Sequence, residues 1–92
     1  MGSILRTRRR RRQLVDVLGM IAAYNDKGAD WSGHDPEQVS RLRQETQERI
    51  LLLVAEIGQK NFSPQLLDAL ISGRASEDWT GEIRILARKE LL

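Results

Sequence analysis

The chain has 92 residues, of which 40% are hydrophobic and 30% charged, as expected for one small globular domain with a modest core. It contains no cysteine, which excludes disulfides, thiolate catalysis and cysteine-ligated zinc. The longest uninterrupted hydrophobic run, Ile50 to Ala55, is far shorter than the roughly 20 residues of a membrane span. We therefore expect one domain over residues 1–92, located in the cytoplasm and without a membrane partner.

The charge is distributed unevenly along the chain. Residues 1–12 hold six arginines and no acidic residue, whereas residues 13–92 hold nine basic and thirteen acidic residues, for a total net charge of +2. Such a separation of charge orients a molecule at an anionic surface even when its net charge is small. We expect residues 1–12 to form a basic N-terminal arm or an extension of the first helix.

The first predicted helix runs from about Ser3 to Tyr24. Hydrophobic residues recur at steps of three and four on one helical face: Leu14, Val17, Leu18, Ile21 and Tyr24. The preceding stretch "RTRRRRRQ", Arg6 to Gln13, can continue this helix because arginine is a good helix former. Its positive charge opposes the helix macrodipole, so we expect fraying there unless an anion or an acidic neighbour is bound.

The second predicted helix begins at "HDPEQ", where Asp35 suits the N-cap and Pro36 the first helical position. It extends to Ile57, and Gly58 is its expected stop. Its apolar stripe comprises Val39, Leu42, Thr46, Ile50, Leu53 and Ile57. Further apolar residues widen the stripe in the second half, namely Leu51, Leu52, Val54 and Ala55. We expect that half to be surrounded by other helices. Self-association of two chains along the same stripe, to form a homodimer, is a further possibility.

Two shorter segments complete the predicted fold. In "FSPQLLDALISG", Ser63 caps a helix that Gly73 ends. In "SEDWTGEIRILARKELL", Ser76 is the expected cap of a last helix, with a short strand at "EIRIL" as the alternative. The sequence thus predicts an all-α bundle of three to four helices, in which the long second helix is central.

The arginine run is the strongest candidate binding site. Arginine carries a planar fork of donors that fits phosphate oxygens and stays charged at any working pH. The candidate residues are Arg6, Arg8, Arg9, Arg10, Arg11 and Arg12. On a helix their side chains would splay around most of the circumference, which favours insertion into a nucleic-acid groove or burial in a nucleoprotein. A solvated terminus that only aids solubility is the alternative.

Other candidate contacts are weaker. Arg41 and Arg43 lie early in the second predicted helix. The favoured alternative there is a solvated helix face on which Arg41 pairs with Glu37 or Glu45. Lys60 adjoins the third segment and could touch a phosphate. Trp31 lies among polar loop residues, where it could stack on a base or pack in the core.

Catalytic and metal-binding signals are weak. Asp30, His34 and Asp35 offer metal ligands, but their spacing matches no strong motif and Asp35 already serves as a cap. His34 is the only histidine, and neither a matched nucleophile nor a phosphate-binding glycine loop is present. We therefore expect no enzyme activity, no metal and no cofactor.

One stretch invites comparison with DNA-binding motifs. "LLLVAEIGQKNFSPQLLDALISGR", residues 51–74, loosely resembles a helix-turn-helix. Its turn "QKNFSP" is longer than the motif's usual three or four residues. Apart from Gln65, its second helix contains no Arg, Asn or Gln that could read base edges. No DNA-reading residues follow from this resemblance.

A short, cysteine-free chain with polarised charge and no enzyme motif resembles small phage accessory proteins, including the anti-CRISPR inhibitors. That resemblance implies docking onto a host protein or nucleoprotein. We predict a non-enzymatic binding protein whose arginine-rich N-terminal helix contacts nucleic acid, RNA or DNA, or a nucleoprotein complex. The alternative is a protein-interaction module whose arginines pair with an acidic partner surface.

Overall fold

The computed structural model describes residues 2–26, 35–77 and 81–92, with side chains described over 7–22, 35–77 and 81–92. The helices are α1 (Gly2–Asp26), α2 (Pro36–Ile57), α3 (Pro64–Ile71), α4 (Arg74–Glu77) and α5 (Gly81–Leu91), and a 3-10 turn spans Gln59–Asn61. No strand occurs in this part of the chain. The predicted all-α bundle is confirmed, and the alternative strand at "EIRIL" is wrong because this stretch lies within α5.

α1 packs against both α2 and α5, in a molecule that measures 48 × 22 × 21 Å. Near its start, Arg10 contacts Glu56 in the last turn of α2. The middle of α1 at Gly19 lies beside Arg84 in α5, while its first turns share a groove with Leu91 at the end of α5. Both α2 and α5 therefore run antiparallel to α1, and their C-terminal ends lie beside its basic N-terminal turns.

The predicted caps of α2 and α3 are confirmed. Asp35 accepts a hydrogen bond from the backbone N–H of Glu37 at 3.0 Å, and the Ser63 hydroxyl accepts one from Leu66 at 3.1 Å. α2 ends at Gly58, whose φ of 98° falls in a region that residues with a side chain rarely adopt. These local signals place the start of each helix without any tertiary information.

Ser76 does not cap the last helix as predicted. It lies inside α4 and is buried, with its hydroxyl 2.9 Å from the Gly73 carbonyl oxygen, to which it donates. Gly73 has a φ of 85°, so the chain turns directly from the end of α3 into α4. On the other side Gln47 of α2 donates to the Leu70 carbonyl at 2.8 Å and lies 3.3 Å from the Ser76 hydroxyl. The serine that resembles a cap in sequence is thus part of a polar link between α2, α3 and α4.

The hydrophobic core draws on all five helices, with α4 contributing Ala75. Its most completely buried large side chains are Leu14, Ile50, Leu66 and Leu70, and α5 adds Ala87 and Leu91. Each fully buried leucine or isoleucine contributes about 1.5–3 kcal/mol relative to exposure. The predicted inner face of α1 is confirmed at Leu14, Leu18 and Ile21, while the side chain of Tyr24 lies outside the described residues.

The expectation that other helices surround the second half of α2 is wrong. Its buried residues there are Ile50, Leu53, Val54 and Ile57, whereas Leu51, Leu52 and Ala55 are exposed. α5 packs on α1 and α3, which leaves one face of α2 without a covering helix among the described elements. A wide apolar stripe in the sequence therefore corresponds to a buried face and an adjacent open one.

Replacing Gly58 with alanine should destabilise the fold. The positive φ strains any residue with a side chain, and the added Cβ would lie 3.3 Å from the Asn61 amide nitrogen. We expect the free energy of unfolding to fall by about 1–3 kcal/mol, measured by urea denaturation followed by circular dichroism. Gly81→Ala is the control, since a Cβ there meets nothing within 4 Å. Equal unfolding midpoints for the two variants would contradict the assignment of strain to Gly58.

Candidate functional site

The bundle divides the arginine run between two faces of α1. Arg8, Arg9 and Arg12 are exposed, whereas Arg10 and Arg11 are half-buried. Arg10 lies four residues before the buried Leu14, and residues at that spacing share a helical face. The arginines lie around α1 as the helical spacing predicts, but the bundle partly covers the face that carries Arg10 and Arg11. The side chain of Arg6 lies outside the described residues.

Arg10 fastens the basic turns of α1 to the bundle. Its Nε lies 2.6 Å from Oε2 of Glu56 in the last turn of α2, and its Nη1 donates to Oε1 of Gln13 at 3.0 Å. Both charged side chains of the ion pair are partly exposed, at 35% and 46%, so its contribution is about 0.2–1 kcal/mol. Glu56 is thus the acidic neighbour that the sequence analysis required for an ordered basic segment.

A groove of about 640 Å³ lies between the start of α1 and the end of α5. Its walls are formed by Arg8, Arg9, Arg11 and Arg12 together with Leu91 and Leu92. The Nε of Arg11 is buried there and has no hydrogen-bond partner in the described part of the chain. Because the C-terminal end of a helix carries a partial negative charge, the end of α5 partly offsets the mutual repulsion of these arginines.

The fold adds two cations, Arg88 and Lys89, that were not among the predicted contacts. They occupy the last turn of α5 and are exposed. The predicted candidate Lys60 lies in the 3-10 turn that follows α2. We call the whole surface the basic end; it comprises Arg8, Arg9, Arg10, Arg11, Arg12, Lys60, Arg88 and Lys89. In the sequence, Arg88 and Lys89 indicate only the end of a helix. The antiparallel packing of α5 on α1 places this end of α5 at the same end of the bundle as the arginine run.

Two acidic residues lie at the basic end, and both are engaged by the fold. Glu56 contacts Arg10, and Oε2 of Glu90 accepts a hydrogen bond from the backbone N–H of Ser63 at 3.4 Å. The exposed arginines Arg8, Arg9 and Arg12 line the groove beside the end of α5. The surface therefore presents a concentration of positive charge that its own carboxylates offset only in part.

Two predicted candidates lie away from the basic end. Arg41 and Arg43 are in the first two turns of α2, and with about 1.5 Å per residue they lie roughly 20 Å along the helix axis from Glu56. Arg41 is exposed, while Arg43 is half-buried beside the groove between α2 and α4. The structure therefore does not bring them together with the arginine run. Trp31 lies outside the described residues.

The described residues show no metal centre and no membrane span. No group of three histidine, cysteine, aspartate or glutamate side chains in them could hold a metal ion. Asp30 and His34, which the sequence offered only as weak metal ligands, lie outside the described ranges. No helix over residues 2–26, 35–77 or 81–92 has the length and apolar character needed to cross a bilayer.

Comparison with protein-family models, with curated proteins and with solved structures found no match. The function of the basic end must therefore be argued from its own residues.

Glu56→Gln should loosen the start of α1. Loss of the carboxylate removes the charge partner of Arg10, so we expect a decrease of about 0.2–1 kcal/mol in unfolding free energy and faster amide hydrogen exchange over residues 2–9. The effect should shrink at about 1 M salt, which screens partly exposed charges. Asp68→Asn, which removes the more exposed ion pair with Arg74, is the control and should leave exchange over residues 2–9 unchanged. Unchanged exchange in Glu56→Gln would contradict the anchoring role of the pair.

Proposed function

We propose that the protein is a non-enzymatic binding protein whose basic end contacts the phosphates of a nucleic acid. The observation that carries this proposal is the position of Arg8, Arg9 and Arg12. These three arginines are exposed, on a helix fastened to the bundle through Arg10 and Glu56. A guanidinium held on a fixed helix offers paired donors to phosphate oxygens and loses less conformational freedom on binding than one on a flexible arm.

A single-stranded nucleic acid, RNA or DNA, is the ligand class that this geometry favours. The bundle partly buries Arg10 and Arg11, so α1 cannot enter a duplex groove with arginines on every side. The exposed cations instead lie on two adjoining helices, with Arg8 and Arg12 on α1 and Arg88 and Lys89 in the last turn of α5. A flexible strand can follow such a surface and release a counterion for each phosphate that it places there.

The resemblance to small phage inhibitors would place this nucleic acid within a host nucleoprotein, as in a CRISPR-type complex. In that setting the basic end would cover a stretch of exposed RNA or DNA, and the acidic body would face away from it. The alternative partner is an acidic protein surface, which would use the same arginines. The two ligand classes differ in the number of counterions released, so a salt titration separates them.

Arg8→Gln together with Arg12→Gln should weaken binding to a fluorescent single-stranded RNA in an anisotropy titration. Single strands release about 0.7 counterion per phosphate contact, so the slope of log K against log salt should decrease by about 1.4. Arg41→Gln together with Arg43→Gln makes the same change in net charge on a distant part of the molecule and is the matched control. Equal losses in the two pairs would show that net charge alone governs binding.

Arg88→Gln together with Lys89→Gln should also weaken RNA binding, although neither residue belongs to the arginine run. This expectation depends on the antiparallel packing of α5 on α1 and fails if the N-terminal segment binds by itself. Arg10 and Arg11 are left unchanged in all these variants because Arg10 also fastens α1. Tighter binding of a polyglutamate chain than of RNA at equal salt would reject the nucleic-acid proposal in favour of an acidic protein partner.

A further inference from the structure

We propose that the protein forms a homodimer in which two copies of α2 pack antiparallel through one exposed row of side chains. The row, which we call the α2 seam, consists of Leu42, Glu45, Arg49 and Leu52. All four are exposed in the single chain. The proposal concerns a surface that the proposed nucleic-acid contact does not use, and it stands independently of that function.

The α2 seam borders an apolar groove between α1 and α2. Leu52 is 66% exposed and Leu42 is 38% exposed, and Met20 on α1 is 63% exposed across the same groove. The groove has a volume of about 630 Å³. Exposed large apolar residues that line one groove mark an interaction surface more strongly than the same residues scattered singly.

The spacing of the α2 seam fits a helix-to-helix interface. Its members follow one another at steps of three, four and three residues, which is the a and d pattern of a coiled coil. The stripe predicted from the sequence, from Val39 to Ile57, shares only Leu42 with this seam, and its residues Ile50, Leu53 and Ile57 are buried inside the bundle. The fold thus uses one face of α2 for the core and leaves the neighbouring face available.

The order of residues in the α2 seam identifies a second copy as the partner. When two α2 helices run antiparallel with a two-fold axis at residue 47, Leu42 of each copy faces Leu52 of the other. In the same register Glu45 of each copy faces Arg49 of the other. Both pairs are complementary and each occurs twice, as the isologous interface of a two-fold dimer requires. Met20 adds apolar area near the axis, because the Arg10–Glu56 contact places Met20 level with Thr46 on the antiparallel helix.

The interface is small and carries unpaired acidic charge. Asp16 and Glu48 also line the groove, so their repulsion opposes the two Glu45–Arg49 pairs. An interface formed by one face of a single helix and an adjoining groove buries little surface area, and such interfaces lie at the weak end of the range for specific association. We therefore expect a dimer that dissociates reversibly on dilution, with added salt screening the acidic repulsion as well as the ion pairs.

Sedimentation equilibrium on the full chain, from micromolar to millimolar concentration, tests the proposal. The native protein should pass from monomer to dimer, and no larger species should form because a two-fold interface is closed. Glu45→Lys leaves two positive residues in the α2 seam and Arg49→Glu leaves two negative ones, so neither variant should dimerise with itself. An equimolar mixture of the two variants should form a heterodimer, because each like-charged seam then faces its opposite. A monomeric native protein, or two variants that fail to associate when mixed, would overturn the proposal.

Leu52→Gln and Ile85→Gln provide a matched pair for the apolar part of the interface. Both residues are 66% exposed, but Ile85 lies on α5 outside the groove. Leu52→Gln should raise the dissociation constant about tenfold or more, because the two-fold dimer loses both of its Leu42–Leu52 contacts, whereas Ile85→Gln should leave it unchanged. Equal effects of the two substitutions, or an unchanged dissociation constant in Leu52→Gln, would reject this register. Circular dichroism of each variant confirms that the bundle is still folded.

Discussion

Burial of one face of α1 between two antiparallel helices is the constraint on which the rest of the molecule depends. Leu14 and Leu18 are removed from water by α2 and α5, and this burial fixes the rotation of α1 about its axis. Because a helix is rigid, the same rotation determines which arginines of the preceding turns face the bundle. The position of the basic end is therefore a consequence of hydrophobic packing several residues further along the chain.

Five consecutive arginines cannot all be exposed on such a helix. Successive residues are separated by about 100° around the axis, so Arg8 to Arg12 cover the whole circumference, including the face that continues toward Leu14. Two of them lie against the bundle. Arg10 forms an ion pair with Glu56, and the Nε of Arg11 is buried beside the end of α5. The run is thus both a charged surface and part of the packing of α1.

Local signals allowed the helix boundaries to be predicted, and long-range contacts explain most of what was missed. Asp35 and Ser63 cap their helices because the bonds involved join residues two or three positions apart. Ser76 has the same local pattern, yet it is drawn into a buried contact with Gln47, which lies 29 residues earlier. The role of Arg88 at the basic end could not be predicted from the sequence for a similar reason, since it depends on how α5 packs on α1. The exposed Leu52 could not be recognised either, because periodicity marks an apolar face without showing which helix covers it.

The concentration of positive charge at the basic end affects the orientation in which two copies of the chain can associate. In a parallel arrangement of the two α2 helices, both basic ends would lie side by side and repel each other. In the antiparallel arrangement about residue 47, each Glu56 is nine residues from the axis, so the two basic ends are roughly 27 Å apart along the helices. That distance exceeds the Debye length of about 8 Å at physiological ionic strength, so their repulsion is largely screened. The polarity of the monomer therefore favours the same orientation that the order of Leu42, Glu45, Arg49 and Leu52 requires, and a dimer built this way would present one basic end at each of its tips.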